Sequence, residues 1–381
     1  MAKLVTLDLD GNLHQGIAVT LEIRNDRVVS GESLASTIQT RVKGKLPAAT
    51  GLLEQYHQWQ SLYRSLSLLF RLGDRPNPIT SGSRTNILTN CQKAAEQLSE
   101  QFNTWLAAES FRPIREQLLE KLSVHEAVRL ILQAEDTHLR RLPWHLWDLL
   151  QRYPKAEVAL SPLTYERVEP TRSTRSHARI LAVLGDRTGI DVEGDRQLLA
   201  TLPDGAETVV LAEPERQELQ KYLWDAQGWD ILFFAGHSTS DADGETGQIG
   251  LNEGDRLSPD ELTYALRKAI ARGLKLAIFN SCDGLGLARR LERLHLPQMI
   301  VMREPVPDRV AQEFLKHFLT SFSSGQPLYT AVREAREQLQ SLETHCPLRH
   351  LAPHPAPKPH RAPPHLAHPS SLIPHPSSFP P

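Results

Sequence analysis

Cysteine is scarce in this chain: Cys91, Cys282 and Cys346 are the three in 381 residues. So small, odd and widely spaced a set excludes a disulfide framework and a zinc pattern, and it fits a reducing cytoplasm. Aromatic residues make up 6%, and no basic stripe interleaves with them, which argues against a nucleic-acid surface. Nor is there an excess of one charge. The 43 Lys and Arg against 45 Asp and Glu leave a formal net charge of −2, too little to hold a polyanion by bulk electrostatics. No apolar run approaches the roughly 18 residues of a membrane helix, so no membrane partner is expected. MAKLVTLDLD lacks the order of a signal peptide. A tetratricopeptide period is also missing.

What is present is a globular composition, 40% apolar and 23% charged, with enough length for two domains or for one large domain with appendages. LVTLDL, the turn DGNLHQG and IAVTLEI read as a hairpin, because Ile17, Val19, Leu21 and Ile23 alternate with polar or small residues. A helix is predicted over 52–72, and GDRPNPITSGSRTN (73–86) is dense in turn formers and reads as a linker. Two helices follow, one lined by Leu98, Phe102 and Trp105, the other by Ile114, Leu118 and Leu122 after Pro113.

Beyond them, short apolar segments alternate with helical ones. VRLILQAE, AEVALSPLTY, ARILAVLG, ETVVLAE, WDILFFAG, LKLAIFNS and QMIVMR are the strands, and helices are predicted at 195–202, 214–226, 258–271, 285–295, 308–322 and 327–342. Ser258-Pro259-Asp260-Glu261 forms a capping box with Pro at the first helical position. Near-continuous apolar strands separated by helices mean a mostly parallel sheet covered on both faces, an α/β fold.

Ligands of open α/β sheets bind beyond the carboxyl ends of the strands. Two strands end in chemically useful residues: WDILFFAG delivers Gly236-His237-Ser238, and LKLAIFNS delivers Cys282-Asp283-Gly284. If those strands are neighbours, thiol and imidazole emerge at one edge as a nucleophile with its base, His237 taking the proton and the Cys282 thiolate attacking a carbonyl. The helix predicted directly after Cys282 favours the thiolate. A cysteine at a strand end also fits as a small buried hydrophobe, and a histidine there as a satisfied polar residue. LGDRTG (184–189) has neither glycine-rich phosphate-loop pattern, and no cofactor or metal is called for.

FFAGHS, LAIFNSCDGLGLA and IVMREPVPD, with LRRLPWHLWD (139–148) ahead of them, resemble the CHAT domain family, caspase-like domains often attached to other modules. The likeness runs over roughly 90–343. Caspase-type spacing agrees: a Gly two positions after the cysteine, and the histidine 45 residues upstream here, about 50 in caspases. The resemblance implies a caspase–hemoglobinase fold, a three-layer sandwich, and a cysteine endopeptidase with His237 and Cys282 catalytic. An oxyanion hole then comes from the backbone N–H groups of Ser238 and Cys282. Ser238 stands where related peptidases often have Gly. Asp241, Asp243 and Glu245, with Asp283 beside the cysteine, are candidates for a substrate pocket that prefers a basic residue. A solvated acidic turn is the other reading of that loop.

The organisation expected is therefore an N-terminal hairpin-and-helix segment (1–85), a caspase-like domain (90–343) and a tail (345–381). The expected function is regulatory or effector cleavage of a protein substrate, with a possible regulatory protein partner. The alternative is a non-catalytic caspase-like interaction module. The tail holds 12 of the 27 prolines, 7 of the 16 histidines and no acidic residue, a composition that predicts disorder and looks like out-of-frame translation. Its histidines follow no metal-ligand spacing. Pro recurs too often for a strand, so QMIVMR is expected to be a bare sheet edge.

Overall fold

The computed structural model describes residues 2–26, 38–71, 81–162, 178–188, 190–200, 202, 206–240, 247–281, 284–342 and 354–357. The chain opens with β1 (Ala2–Asn12), β2 (Gly16–Asp26) and β3 (Ile38–Leu46), then α1 (Thr50–Arg71), α2 (Ser81–Leu106) and α3 (Arg112–Lys121). Next come β4 (Val128–Ala134), α4 (Thr137–Arg141), α5 (Asp148–Gln151), β5 (Ala156–Ser161), β6 (Ala178–Leu184), α6 (Val192–Ala200), β7 (Ala206–Ala212), α7 (Arg216–Leu223) and β8 (Ile231–Ala235). The order continues through β9 (Ser238–Ser240), β10 (Gly247–Gly250), β11 (Arg256–Leu257), α8 (Thr263–Ala271), β12 (Leu276–Asn280), α9 (Leu285–Arg293), β13 (Gln298–Val301), α10 (Asp308–Ser323), α11 (Leu328–Gln338) and β14 (His354–Pro357). No helix among the described residues is long and apolar enough to cross a membrane.

The first hairpin forms as the alternation predicts. Asn12 Oδ1 accepts from the His14 and Gln15 N–H groups at 3.0 Å each, a local turn that only short polar side chains make. Gly11, at φ +127°, allows the return, because a Cβ there would lie 2.4 Å from the Gly16 carbonyl. β1 then does something the local pattern does not announce. It pairs with β2 on one edge and, in parallel, with β4 on the other, Leu7 facing Leu132. The five-stranded sheet β3-β2-β1-β4-β5 thus unites the first residues of the chain with strands more than a hundred residues later. β3 was not foreseen: its alternating residues are only half-buried, so no apolar signal marks it. The 81–86 end of the expected linker is the first part of α2.

A second sheet, in the order β14-β13-β12-β8-β6-β7, carries the α/β half. Its β6, β7, β8, β12 and β13 run parallel, as near-continuous apolar strands require when both faces are covered. Leu219 of α7, Leu266 of α8 and Leu287 of α9 pack against Leu232, Phe234 and Phe279 on one face. α6 and α10 lie against the other, reached through Asp195, Ala311 and Gln312. The Ser258 capping box is present, its N–H donating to Glu261 Oε2 at 2.8 Å, though the turn it starts is a tight 3-10 turn that leads into α8.

The expectation of a bare edge at QMIVMR does not hold. β14 pairs antiparallel with β13, Val301 facing His354 and Gln298 facing Pro357. Successive N–H groups of a strand point to opposite sides. Prolines at every second position, 355 and 357, therefore remove donors from one side only, and the N–H groups of His354 and Ala356 remain on the other. The rest of the tail lies outside the described residues.

Candidate active site

β6, β8 and β12 end level with one another. Leu184 faces Ala235, and Ala235 faces Asn280, so the residues that follow all emerge at one edge. Backbones approach closely there. Gly236 has φ +153°, and a Cβ on it would meet Phe234 Cζ at 3.0 Å and Gly185 Cα at 3.2 Å. Glycine at 236 lets the chain turn without a side chain in the way and present His237.

The imidazole is fixed by a closed circuit of hydrogen bonds. His237 Nε2 lies 2.8 Å from the Thr188 carbonyl. The Thr188 N–H donates to Asp186 Oδ1 at 3.0 Å, the Asp186 N–H to the Gly250 carbonyl at 3.1 Å, and the Gly250 N–H to the His237 carbonyl at 2.9 Å. A carbonyl oxygen only accepts, so Nε2 carries the hydrogen and the neutral ring keeps its lone pair on Nδ1. The hydrogen bonds from Thr188, and then the nearby imidazole, hold the Asp186 carboxyl below its ordinary range. Nδ1 is therefore the basic nitrogen, on a ring whose orientation is set by backbone.

A cleft of about 410 Å³, open to solvent, adjoins the ring. One wall carries Gly236, His237, Asn280 and Ser281; the other carries Asp191, Asp195, Asp308 and Gln312. Asp195 is 4% exposed and accepts from Asn280 Nδ2 at 2.8 Å. Burial, reinforced by the Asp191 and Asp308 charges, pushes its carboxyl up to about 7 against the pull of Asn280. Asp191 moves the other way, lowered by hydrogen bonds from the Gln312 side chain and the Gly194 N–H. The Asp191 N–H in turn donates to Asp308 Oδ2 at 3.1 Å. Asn280 Oδ1 and Ser281 Oγ are buried and have no hydrogen-bond partner among the described residues. Three carboxyl groups and two unengaged oxygens suit a cationic side chain with several N–H donors.

His237 and Ser238 thus lie where the strand ends were expected to put them, Ser238 beginning β9. Cys282, Asp283, Asp241, Asp243 and Glu245 lie outside the described residues, Cys282 being next in sequence after Ser281. Sequence reasoning missed the Thr188 carbonyl and the whole acidic wall. Its only trace was the repetition of Asp in DRTGIDVEGD, together with the Asp that opens α10. No group of three metal-ligating side chains occurs among the described residues.

The CHAT domain family model matches residues 92–369. The chain belongs to the CHAT domain family. This CHAT domain is a caspase-like, peptidase-related module, and its sheet edge is the one on which His237 stands. No curated protein matches the chain. The match begins at 92, whereas β1 of the preceding segment lies inside the sheet that also holds β4 and β5.

Proposed function

We propose that this CHAT domain is a cysteine endopeptidase that cuts a protein partner after a basic residue. The observation that carries the reading is the His237 ring, held by a backbone carbonyl with Nδ1 as the basic nitrogen, at the level ends of neighbouring strands, the second of which leads into Cys282. In this scheme Nδ1 takes the thiol proton of Cys282 and the thiolate sulfur bonds to the scissile carbonyl carbon. The carbonyl oxygen becomes an oxyanion facing the backbone N–H groups of Ser238 and Cys282. The imidazolium then returns its proton to the leaving amine as the C–N bond breaks. Water attacks the resulting thioester with His237 as base, which releases the acid and restores the thiol.

Specificity follows from the cleft. Asp191, Asp195 and Asp308 beside His237 favour a guanidinium or ammonium on the acyl side of the cut, the same preference that Asp241, Asp243, Glu245 and Asp283 would give. So selective a pocket fits regulatory or effector cleavage.

Fluorogenic peptides ending in Arg, Lys or Asp test both parts of the proposal. Arg and Lys substrates should be turned over, Asp substrates poorly, and Cys282→Ala should abolish turnover. Iodoacetamide should label Cys282 faster than the buried Cys91 and more slowly in His237→Ala. Absence of turnover with equal labelling of the cysteines would leave the non-catalytic interaction module as the reading.

A further inference from the structure

Tyr56, Gln60 and Arg64 recur every four residues on α1 and so share one face of that helix. All three converge on one carboxylate, Glu304, whose side chain is fully buried. Tyr56 Oη donates to Oε1 at 2.6 Å, and Gln60 Nε2 donates to the same oxygen. Arg64 reaches Oε2 through Nε at 3.3 Å and Nη2 at 3.1 Å. Burial, then the charge of Glu304, raises the Tyr56 hydroxyl well above its ordinary value and keeps it a donor. A buried carboxylate is costly unless fully paired, and an apolar side chain would hold the same loop with less desolvation. What a charged and fully paired group adds is a defined position.

That position matters because of what flanks it. Glu304 sits in the connection between β13 and α10, which supplies part of the lining of the cleft. Two residues before it, the Met302 carbonyl accepts from the Gly284 N–H at 2.8 Å, Gly284 being two positions after Cys282 in sequence. Approach there is close, since a Cβ on Gly284 would meet Val301 Cβ at 2.8 Å. Val306 and Asp308, both lining the cleft, follow within four residues. On the other side, Arg303 donates to the Leu142 carbonyl at 2.9 Å, so the connection is gripped from two directions.

We propose that Glu304 is a positioning residue through which α1, a helix outside the family match, sets the wall of the cleft and with it the selection of a basic side chain. The proposal rests on the cleft being the basic-residue pocket. α1 is then a built-in control handle. Whatever displaces α1 loosens the grip on Glu304 and lets Val306 and Asp308 drift from His237.

The test uses the full-length protein and two readouts. The first is steady-state kinetics on an Arg peptide. The second needs no catalysis: the ratio of Cys282 labelling rates with a cationic and a neutral methanethiosulfonate, with buried Cys91 as internal control. Tyr56→Phe removes one hydroxyl and should raise KM by about threefold or more with kcat nearly unchanged, while the labelling ratio falls by a similar factor. Glu304→Ala should exceed it, and Glu304→Gln, which keeps an acceptor for Tyr56 and Gln60, should fall between. Loss of folded protein lowers kcat and leaves KM and the labelling ratio alone, so that pattern would overturn the proposal. So would an unchanged ratio and KM in a folded Tyr56→Phe protein. If wild type turns over no peptide yet its labelling ratio falls in Tyr56→Phe, the peptidase reading fails while the positioning role stands.

Discussion

Asp195→Asn should make the protein more stable, and only where the pH is high enough. The folded state holds this carboxyl at about 7 against an ordinary 3.8. At about 1.4 kcal/mol per pH unit, that separation costs about 4 kcal/mol once the folded group must also ionise, out of a domain stability of roughly 5–15 kcal/mol. The sign follows from proton counting. Below about pH 4 the group is protonated in both states and contributes no penalty. Between about 4 and 7 the unfolded chain has released the proton while the folded one retains it, so stability falls as pH rises. Above 7 the penalty is complete. The amide introduced by Asp195→Asn carries no charge, and its oxygen still accepts from Asn280 Nδ2, which now bonds Asp195 at 2.8 Å. Urea denaturation of wild type and variant at pH 4, 6 and 8 reads the difference from the midpoints at constant slope. The gain should be near zero at pH 4 and several kcal/mol at pH 8, alongside a weaker preference for Arg peptides. A gain independent of pH, or a loss at pH 8, would refute the assignment of Asp195 as a strained carboxyl kept for binding.

Gly236→Ala should slow Cys282 labelling and lower the melting temperature, since a φ of +153° strains any other residue by about 1–3 kcal/mol; labelling at the wild-type rate would show that the turn does not orient His237. Removing residues 351–381 should strip β14 from β13 and leave an unpaired apolar edge. Light scattering should then show concentration-dependent association, and a truncated chain that stays monomeric would mean that β14 does not protect the sheet.

Much of the fold could be read from apolar runs. Every strand expected between 128 and 303 is present, and α1 and the helices from α6 onward start or stop within a few residues of their expected bounds. Where reading failed, the cause was physical. β1 is as strongly patterned as a hairpin strand should be, but local alternation cannot reveal a second, parallel partner at β4. β9, β10 and β11 are two to four residues long, too short for a period to show. The rule that excludes proline from strands assumes that both edges need donors, whereas β14 has prolines on alternate residues. At the site, His237 was legible because side-chain chemistry at a strand end has few uses. The Thr188 carbonyl was not, because a backbone acceptor leaves no mark on residue identity. Nothing near Asp195 in sequence marks it; its hydrogen-bond partner, Asn280, lies 85 positions away.

The parallel pairing of β1 with β4 also bears on how the chain comes into being. β1 and β2 leave the ribosome well before β4, so the partner for the open edge of β1 is made about a hundred residues later, a wait of roughly 5–20 s at ordinary synthesis rates. Throughout that interval Leu4, Val5, Leu7 and Leu9, all buried in the finished protein, sit on an edge strand that has β2 on one side but not yet β4 on the other. The nascent hairpin is thus a natural client for a chaperone. Slow codons before β4 would lengthen its exposure and lower the yield of native protein without changing a single amino acid.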